Sequence, residues 1–261
     1  MSIKISGTGS FIPKNIIKNN TFLDSEFYDK NGEPYPNSNK DIIEKFELIT
    51  GIKERRYADK NHNTSDLATF ASIEAIQDAG IDKEEIDYII VAHNFGEIDY
   101  NTNQYIALPS VATLVKHKLE ISNENCVAYD IIFGCPGWVE GIIQAKAFIN
   151  SGMAKKCLVI GADTLSRTVD KNDRDSLIFA DGAGAAIVEK SEDEGGILSH
   201  KTITKAGKEA LYLFCKNSYS PKIKSKTKFI KMNGRKVYEF AISTIPNALK
   251  SCIEKSGKNI D

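Results

Sequence analysis

The chain has 261 residues, a net charge of −1 and 41% hydrophobic residues, which is enough for one large or two modest domains with a buried core. The near-neutral charge argues against a dedicated nucleic-acid binder. No apolar run approaches the ~20 residues of a membrane helix, and the first residues lack the apolar stretch of a signal peptide. Five cysteines and four histidines without metal or redox spacing predict a reduced, cytoplasmic protein with no metal site and no structural disulfide.

Strands and helices alternate along the first 190 residues. Thr64 can cap a helix that Gly80 ends, and continuous apolar runs are typical of strands covered on both faces. This alternation predicts an α/β fold with a largely parallel sheet. In chain order the predicted elements are a strand at 4–10, a turn-rich insertion at 31–39, a helix at Thr64–Ala79, a strand at 88–92, a helix from about Ser110, a strand at 126–133, a helix from Pro136, a strand at 157–162 and, within 179–188, glycines that give way to a strand.

The same pattern of apolar strands and helices recurs beyond Gly195 and Gly196. Strands are predicted at 197–204, 211–215 and Phe229–Met232, followed by a helix at 234–255 that Pro246 should kink. A helix, a glycine and an Ile-Asp pair at 74–87 lead into a core strand, and 250–261 echo them up to Ile260 and Asp261. The echo predicts a duplicated fold and an amino-terminal fragment of a longer protein.

Cys135 lies between a predicted strand and a predicted helix, in the run Gly-Cys-Pro-Gly at 134–137. Proline suits the first helical position, which places Cys135 at the cap. A thiol at a helix N-terminus faces free backbone N–H groups, and these stabilise a thiolate. Free cysteines are also commonly small buried hydrophobic residues. The local pattern therefore leaves a nucleophile and a structural cysteine equally open.

Five motifs in order resemble β-ketoacyl-[acyl-carrier-protein] synthase III, a family of the thiolase-fold superfamily, over essentially the whole chain. They lie at 7–13, 50–56, 108–110, 134–137 and 181–186. The resemblance implies a duplicated five-layer αβαβα fold with an incomplete second half, assembled as a homodimer. It divides the chain into a nucleophile-bearing half at 1–190 and the start of the second half at 191–261.

The reaction that the resemblance implies is a decarboxylative Claisen condensation in fatty-acid or related lipid and polyketide biosynthesis. Cys135 corresponds to the family nucleophile, which forms an acyl thioester. The substrates are acyl-CoA or acyl-carrier protein and malonyl-carrier protein, with no permanently bound cofactor. The family also uses a histidine and an asparagine, whose positions would follow Asp261. His93, which follows the strand at 88–92, is interpreted as structural.

The resemblance also implies substrate-binding residues. Arg174 corresponds to an arginine that packs on the adenine of coenzyme A, but Lys45 and Ile49 replace its tryptophan and arginine companions. This favours a carrier-bound or longer acyl donor. Leu108 corresponds to a residue that closes the acyl pocket of the partner subunit, and a leucine there predicts an acyl chain longer than acetyl. The alternative is that Leu108 belongs to the core.

The resemblance implies two further groups of residues near the tunnel through which substrates of the family enter. Gly234 and Arg235, with Lys236, lie where the family meets pantetheine and the acidic carrier protein, although a helix start with no partner is an alternative. Phe179 and a turn at 181–184 are expected to form the floor beside the nucleophile.

Two other functions remain open. One is a specialised thiolase-superfamily condensing enzyme, similar to hydroxymethylglutaryl-CoA synthase or forming resorcinols or quinolones. The other is a non-catalytic subunit that pairs with a complete synthase. A hydrolase elbow is rejected, because Phe133 occupies the place of its first glycine.

Overall fold

The computed structural model describes residues 2–193 and 195–259, and these form two compact units. The first unit comprises the residues up to 14 together with 58–164 and 181–200. The second comprises 15–57, 165–180 and the residues from 201 onward. The predicted division at residue 190 concerns the duplicated halves of the fold, and it stays a prediction.

Eleven strands and five α-helices are present in the described residues. The strands are β1 (Ser2–Phe11), β2 (Asn15–Lys18), β3 (Glu54–Tyr57), β4 (Tyr88–His93), β5 (Glu97–Ile98), β6 (Tyr105–Ile106), β7 (Val127–Ile132), β8 (Lys156–Thr164), β9 (Asp181–Ser191), β10 (Leu213–Lys216) and β11 (Phe229–Met232). The helices are α1 (Asn39–Thr50), α2 (Thr64–Ala79), α3 (Val111–Lys118), α4 (Gly137–Asn150) and α5 (Gly234–Ser256).

The first unit is built on a five-stranded sheet in the order β1-β9-β8-β4-β7. Strand β4 runs parallel to β7 and β8, whereas β9 is antiparallel to both β8 and β1. The prediction of a largely parallel sheet was therefore wrong for half of the pairings. A buried apolar run reports that a strand is covered on both faces, but it does not report the direction of its neighbours.

Helices cover both faces of this sheet. Successive side chains of β4 point to opposite faces. Ile89 and Val91 pack in one cluster with α2 and α3, and Ile90 packs in the other with α4. The fold is mixed α/β, as predicted.

Strand β1 contacts helix α2 through its glycines. A Cβ atom at Gly9 would lie 2.2 Å from the carbonyl oxygen of Ala71, and one at Gly7 would lie 2.4 Å from that of Ala75. Any side chain at these positions would push the helix away from the sheet. This close approach explains why glycines stand at positions 7 and 9 in the first of the five motifs, at 7–13.

Strand β7 differs from its prediction. It lies at the edge of the sheet, with β4 as its only strand partner among the described residues. Val127 is 46% exposed and Ile132 is 73% exposed. The expected cover on both faces is therefore absent at the two ends of this strand.

The predicted helix ends are largely confirmed. Helix α2 begins at Thr64, but Asn63 is its N-cap, and the Asn63 N–H donates to the Asp66 carboxylate at 2.8 Å. The Thr64 hydroxyl instead bonds the Thr164 hydroxyl at 2.9 Å. Gly80 ends the helix in a left-handed conformation, where glycine carries no steric penalty.

The second unit contains the two-stranded pairs β2–β3 and β10–β11 with helices α1 and α5. Helix α5 ends at Ser256 before Gly257, whose φ of 69° resembles the 64° of Gly80. The echoed pair Ile260 and Asp261 lies outside the described residues.

Residues 197–204 form no strand, so that prediction was wrong. In the first unit, the Lys146 ammonium donates to the Ile197 carbonyl at 2.5 Å. A side chain therefore bonds the carbonyl group that a neighbouring strand would otherwise bond.

A buried lysine ties the second unit together. Lys231 is 1% exposed, and its ammonium lies 2.5 Å from the Asp170 carboxylate and 3.0 Å from that of Asp173. It also lies 3.5 Å from the centre of the Tyr219 ring. The two carboxylates and the ring supply the partners that a buried cation requires.

Candidate active site

Cys135 is exposed in the turn between β7 and α4. Pro136 is the N-cap of α4 and Gly137 is its first helical residue, so Cys135 precedes the cap by one position rather than occupying it. The Gly137 N–H donates to the Gly134 carbonyl at 2.8 Å and closes the turn. The thiol thus stands directly before a helix N-terminus, close to the predicted position.

Gly137 fixes this turn against the sheet. A Cβ atom there would lie 2.9 Å from the Ala92 Cβ and 3.2 Å from the Phe133 Cβ. The Phe133 N–H also donates to the His93 carbonyl at 3.1 Å. The segment before Cys135 is therefore held on the end of β4 by packing and by a backbone hydrogen bond.

His93 is buried and links three elements. Its Nε2 lies 2.9 Å from the Asp130 carboxylate, which also accepts the backbone N–H groups of Val111 and Ala112 at 2.8 and 2.7 Å. His93 on β4, Asp130 on β7 and the start of α3 are thus joined. These contacts agree with the structural role predicted for His93.

Asn94 and Asp163 form a second polar pair beside the turn. The Asn94 side chain donates to Asp163 at 2.8 Å, and its backbone N–H donates at 3.1 Å. Burial raises the pKa of the Asp163 carboxyl, although these hydrogen bonds oppose the shift. A Cβ at Gly134 would lie 3.6 Å from the Asn94 side-chain oxygen.

Sequence reasoning missed both of these residues. The available signal was their place at the carboxyl ends of two neighbouring parallel strands, where sites of α/β sheets collect.

The other cysteines of the first unit are poor nucleophile candidates. Cys126 and Cys157 are buried, and burial raises the pKa of both thiols, that of Cys157 to about 12. They remain protonated at neutral pH, and a protonated thiol is a weak nucleophile. Cys135 is the exposed cysteine of this unit.

Leu108 is 82% exposed and precedes a cis peptide bond to Pro109. Ser110 then caps α3, and its hydroxyl accepts the Thr113 N–H at 3.1 Å. The exposure rules out the alternative that Leu108 belongs to the core. Its predicted role at an acyl pocket stays a prediction.

The remaining predicted site residues lie in the second unit. The Arg174 guanidinium stands 4.5 Å from the centre of the Tyr35 ring, which belongs to the predicted insertion. Half-buried Phe179 follows the 3₁₀ helix at Arg174–Ile178. Gly234 opens α5, and Arg235 ion-pairs with Glu239 at 2.9 Å.

The turn expected at 181–184 is instead the first part of β9. Gly182 and Gly184 pair there with residues of β8, so these glycines lie inside a sheet rather than in a loop.

Among the described residues, no three histidine, cysteine or acidic side chains are grouped so that they could hold a metal ion. None of the described helices has both the length and the apolar character required to span a membrane.

Comparison with known proteins gives a consistent result. Residues 129–206, which include Cys135, match the family model of 3-oxoacyl-[acyl-carrier-protein (ACP)] synthase III. The chain is 36% identical over 258 residues to β-ketoacyl-[acyl-carrier-protein] synthase III of Staphylococcus epidermidis, covering 98% of this chain and 72% of that protein. It is 37% identical over 255 residues to the enzyme of Neisseria meningitidis serogroup B, with coverage of 97% and 72%.

The chain belongs to the β-ketoacyl-[acyl-carrier-protein] synthase III family. The structure agrees: 3-oxoacyl-[acyl-carrier-protein] synthase III from Aquifex aeolicus VF5 superposes with a TM-score of 0.79 at 31% identity, covering 98% of this chain and 72% of that one. The synthase of Burkholderia xenovorans LB400 shares the fold with a TM-score of 0.80 at 22% identity. The synthase III resemblance and the thiolase-like fold predicted from sequence are confirmed.

Proposed function

We propose that this synthase III family member uses Cys135 as the acyl-accepting nucleophile. The observation that carries the proposal is the exposed thiol immediately before the N-terminus of α4. The Cys135 sulfur attacks the carbonyl carbon of an acyl thioester, a new carbon–sulfur bond forms, and the donor thiolate leaves. The positive end of the α4 dipole lies beside this turn and stabilises negative charge that develops there during the reaction.

The second step is condensation with malonyl-carrier protein. The malonyl group loses CO₂, and the resulting enolate carbon attacks the carbonyl carbon of acyl-Cys135. The carbon–sulfur bond to Cys135 breaks, the thiolate is regenerated, and the β-ketoacyl group leaves on the carrier protein. The enzyme then needs no bound cofactor, and its substrates are an acyl-CoA or acyl-carrier protein and malonyl-carrier protein.

Arg174 is proposed to contact the acyl donor. Its guanidinium rests on the Tyr35 ring, while 46% of its side chain stays exposed. A planar guanidinium can stack on a base through that exposed part. Tyr35 thereby supports Arg174, although the companions expected at Lys45 and Ile49 are replaced. Leu108 is proposed to close the acyl pocket of the partner subunit. Phe179 and Gly234 are proposed to contact the substrate, Gly234 on the pantetheine path.

A cytoplasmic homodimer is proposed as the working assembly. In the part of the chain that the structure describes, strand β7 has an open edge, and it exposes apolar Ile132 beside the Cys135 turn. An open strand edge is a template for pairing with a second chain. A second copy of this chain would extend the sheet across β7.

The acyl-transfer step is tested by intact mass measurement. The protein is incubated with a panel of acyl-CoAs and acyl-carrier proteins, and Cys135→Ala and Cys215→Ala are compared, since Cys215 is also exposed. We expect an acyl adduct in the parent and in Cys215→Ala, and none in Cys135→Ala. An adduct that survives Cys135→Ala, or no adduct from any donor on folded protein, contradicts the proposal.

A non-catalytic partner subunit is a second candidate, and one observation favours it. Helix α5 carries an apolar stripe of four side chains, of which each is about half exposed or more: Tyr238, Ile242, Ile245 and Leu249. Exposed apolar patches of this kind mark interaction sites. The same mass experiment separates the two functions, because a non-catalytic subunit forms no acyl adduct.

A further inference from the structure

The second unit carries an unusual concentration of positive charge. Between Glu209 and Glu239 the sequence has no acidic residue and eight basic ones, which are Lys216, Lys222, Lys224, Lys226, Lys228, Lys231, Arg235 and Lys236. Most of them lie in the basic loop, defined here as residues 216–228. The net charge of the whole chain is only −1, so this charge is local.

Half of these cations are already neutralised. Lys231 is buried between two aspartates, and Lys222 pairs with Glu26 at 2.7 Å. Arg235 and Lys236 share Glu239, at 2.9 and 2.7 Å. The start of α5, where the family resemblance places carrier-protein contacts, therefore has little unpaired charge to offer.

The unpaired cations lie in the basic loop. Lys216, Lys224, Lys226 and Lys228 are exposed and have no acidic partner among the described residues. Lys228 bonds only the neutral side chain of Asn217. These four charges are free to act on a partner.

The base of the loop is anchored. Strands β10 and β11 pair Lys216 with Phe229, so the loop hangs from the end of a two-stranded hairpin. The Ser218 hydroxyl and the Tyr219 N–H donate to Asp170 at 2.9 and 2.8 Å. The segment that carries the lysines is therefore fixed at its base.

We propose that the basic loop is the docking surface for the carboxylate-rich face of the carrier protein. This inference rests on the proposed function, which supplies that partner. Cations without internal partners attract an acidic surface and raise its association rate. The lysine segment 222–228 has no aromatic side chain for base stacking and only Ile223 as an apolar side chain, so a protein surface fits better than nucleic acid or a membrane.

The test measures binding of hexanoyl-carrier protein to the full chain at about 50 mM salt and at about 200 mM salt. Lys224→Glu/Lys226→Glu should weaken binding about tenfold at low salt and lose most of the salt dependence. The matched control is Lys60→Glu/Lys190→Glu, which changes the net charge equally at exposed positions of the first unit.

A second measurement separates this inference from the proposed function. Acylation of Cys135 by uncharged hexanoyl-N-acetylcysteamine should be equal in the parent and in the loop variant. Equal acylation with unchanged carrier-protein binding in the loop variant, or equal weakening in the control, overturns the docking surface alone. Loss of binding to anionic phospholipid vesicles without loss of carrier binding assigns the loop to membranes and also overturns it. No acylation in the parent overturns the proposed function instead.

Discussion

Asp175 shows how one side chain can cost stability at neutral pH. Its carboxyl is partly buried and next to Asp173, and burial together with that neighbouring charge raises its pKa to about 6. The folded state therefore binds the proton more tightly than the unfolded chain does. The stability contribution of Asp175 is full below the unfolded pKa near 3.8, and it is lost as the pH rises through about 6.

Asp175→Asn should consequently stabilise the protein at pH 7.5. The gain has an upper limit of about 3 kcal/mol, because raising the pKa from 3.8 to about 6 corresponds to that amount. Denaturant unfolding at pH 7.5 and pH 4.5 measures it, and the gain should shrink at the lower pH. Exposed Asp24→Asn is the control and should change little. A gain that is independent of pH would contradict the assigned cause.

Asn94 is the second residue with a measurable consequence. Asn94→Ala removes the 2.8 Å hydrogen bond to half-buried Asp163. We expect a loss of about 1–3 kcal/mol in unfolding free energy and slower acylation of Cys135, because Asn94 also lies against Gly134. Time-resolved mass measurement gives the rate. Exposed Asn125→Ala should leave both quantities unchanged.

The sequence revealed Cys135 because its motif is local, with strand, glycine, thiol and helix start adjacent along the chain. It did not reveal Asn94 and Asp163, whose pairing depends on which strands become neighbours in the sheet. The same limit explains Tyr35, which an insertion brings beneath Arg174.

At the scale of elements, the junction between β7 and α4 depends on Gly137. Gly137→Ala places a Cβ 2.9 Å from that of Ala92, so the helix start must shift. We expect a stability loss of about 1–3 kcal/mol and a lower acylation rate. Thermal unfolding and the mass assay measure the two effects. Gly184→Ala, where the added Cβ meets no atom within 4 Å, should be tolerated.

Most element positions followed from periodicity and caps, as for α2 and for α3 after Ser110. The failures were of another kind. The strand expected at 197–204 has the right residue types, and the Ile197 N–H donates to the Ile3 carbonyl of β1 at 2.8 Å, but among the described residues this pairing does not continue along the segment. Strand direction in the central sheet depends on long-range connections, which no local pattern encodes.

At the scale of the whole molecule, the open edge of β7 predicts self-association. Val127→Glu puts a charge on this edge, and it should reduce the mass in solution from two chains to one. Light scattering after gel filtration measures it. Ile5→Glu on β1, the strand at the opposite edge of the sheet, is the control because Ile5 is similarly exposed at 39%. A parent that is already monomeric contradicts the homodimer.

The burial of Lys231 makes it an internal reporter. Amine-reactive reagents can reach the exposed lysines of the native protein, but they cannot reach an ammonium enclosed by two carboxylates and a tyrosine ring. Its modification requires the β10–β11 hairpin to separate from the loop that bears Asp170. The rate at which Lys231 is labelled therefore reports how often the second unit opens locally, whether or not the first unit unfolds.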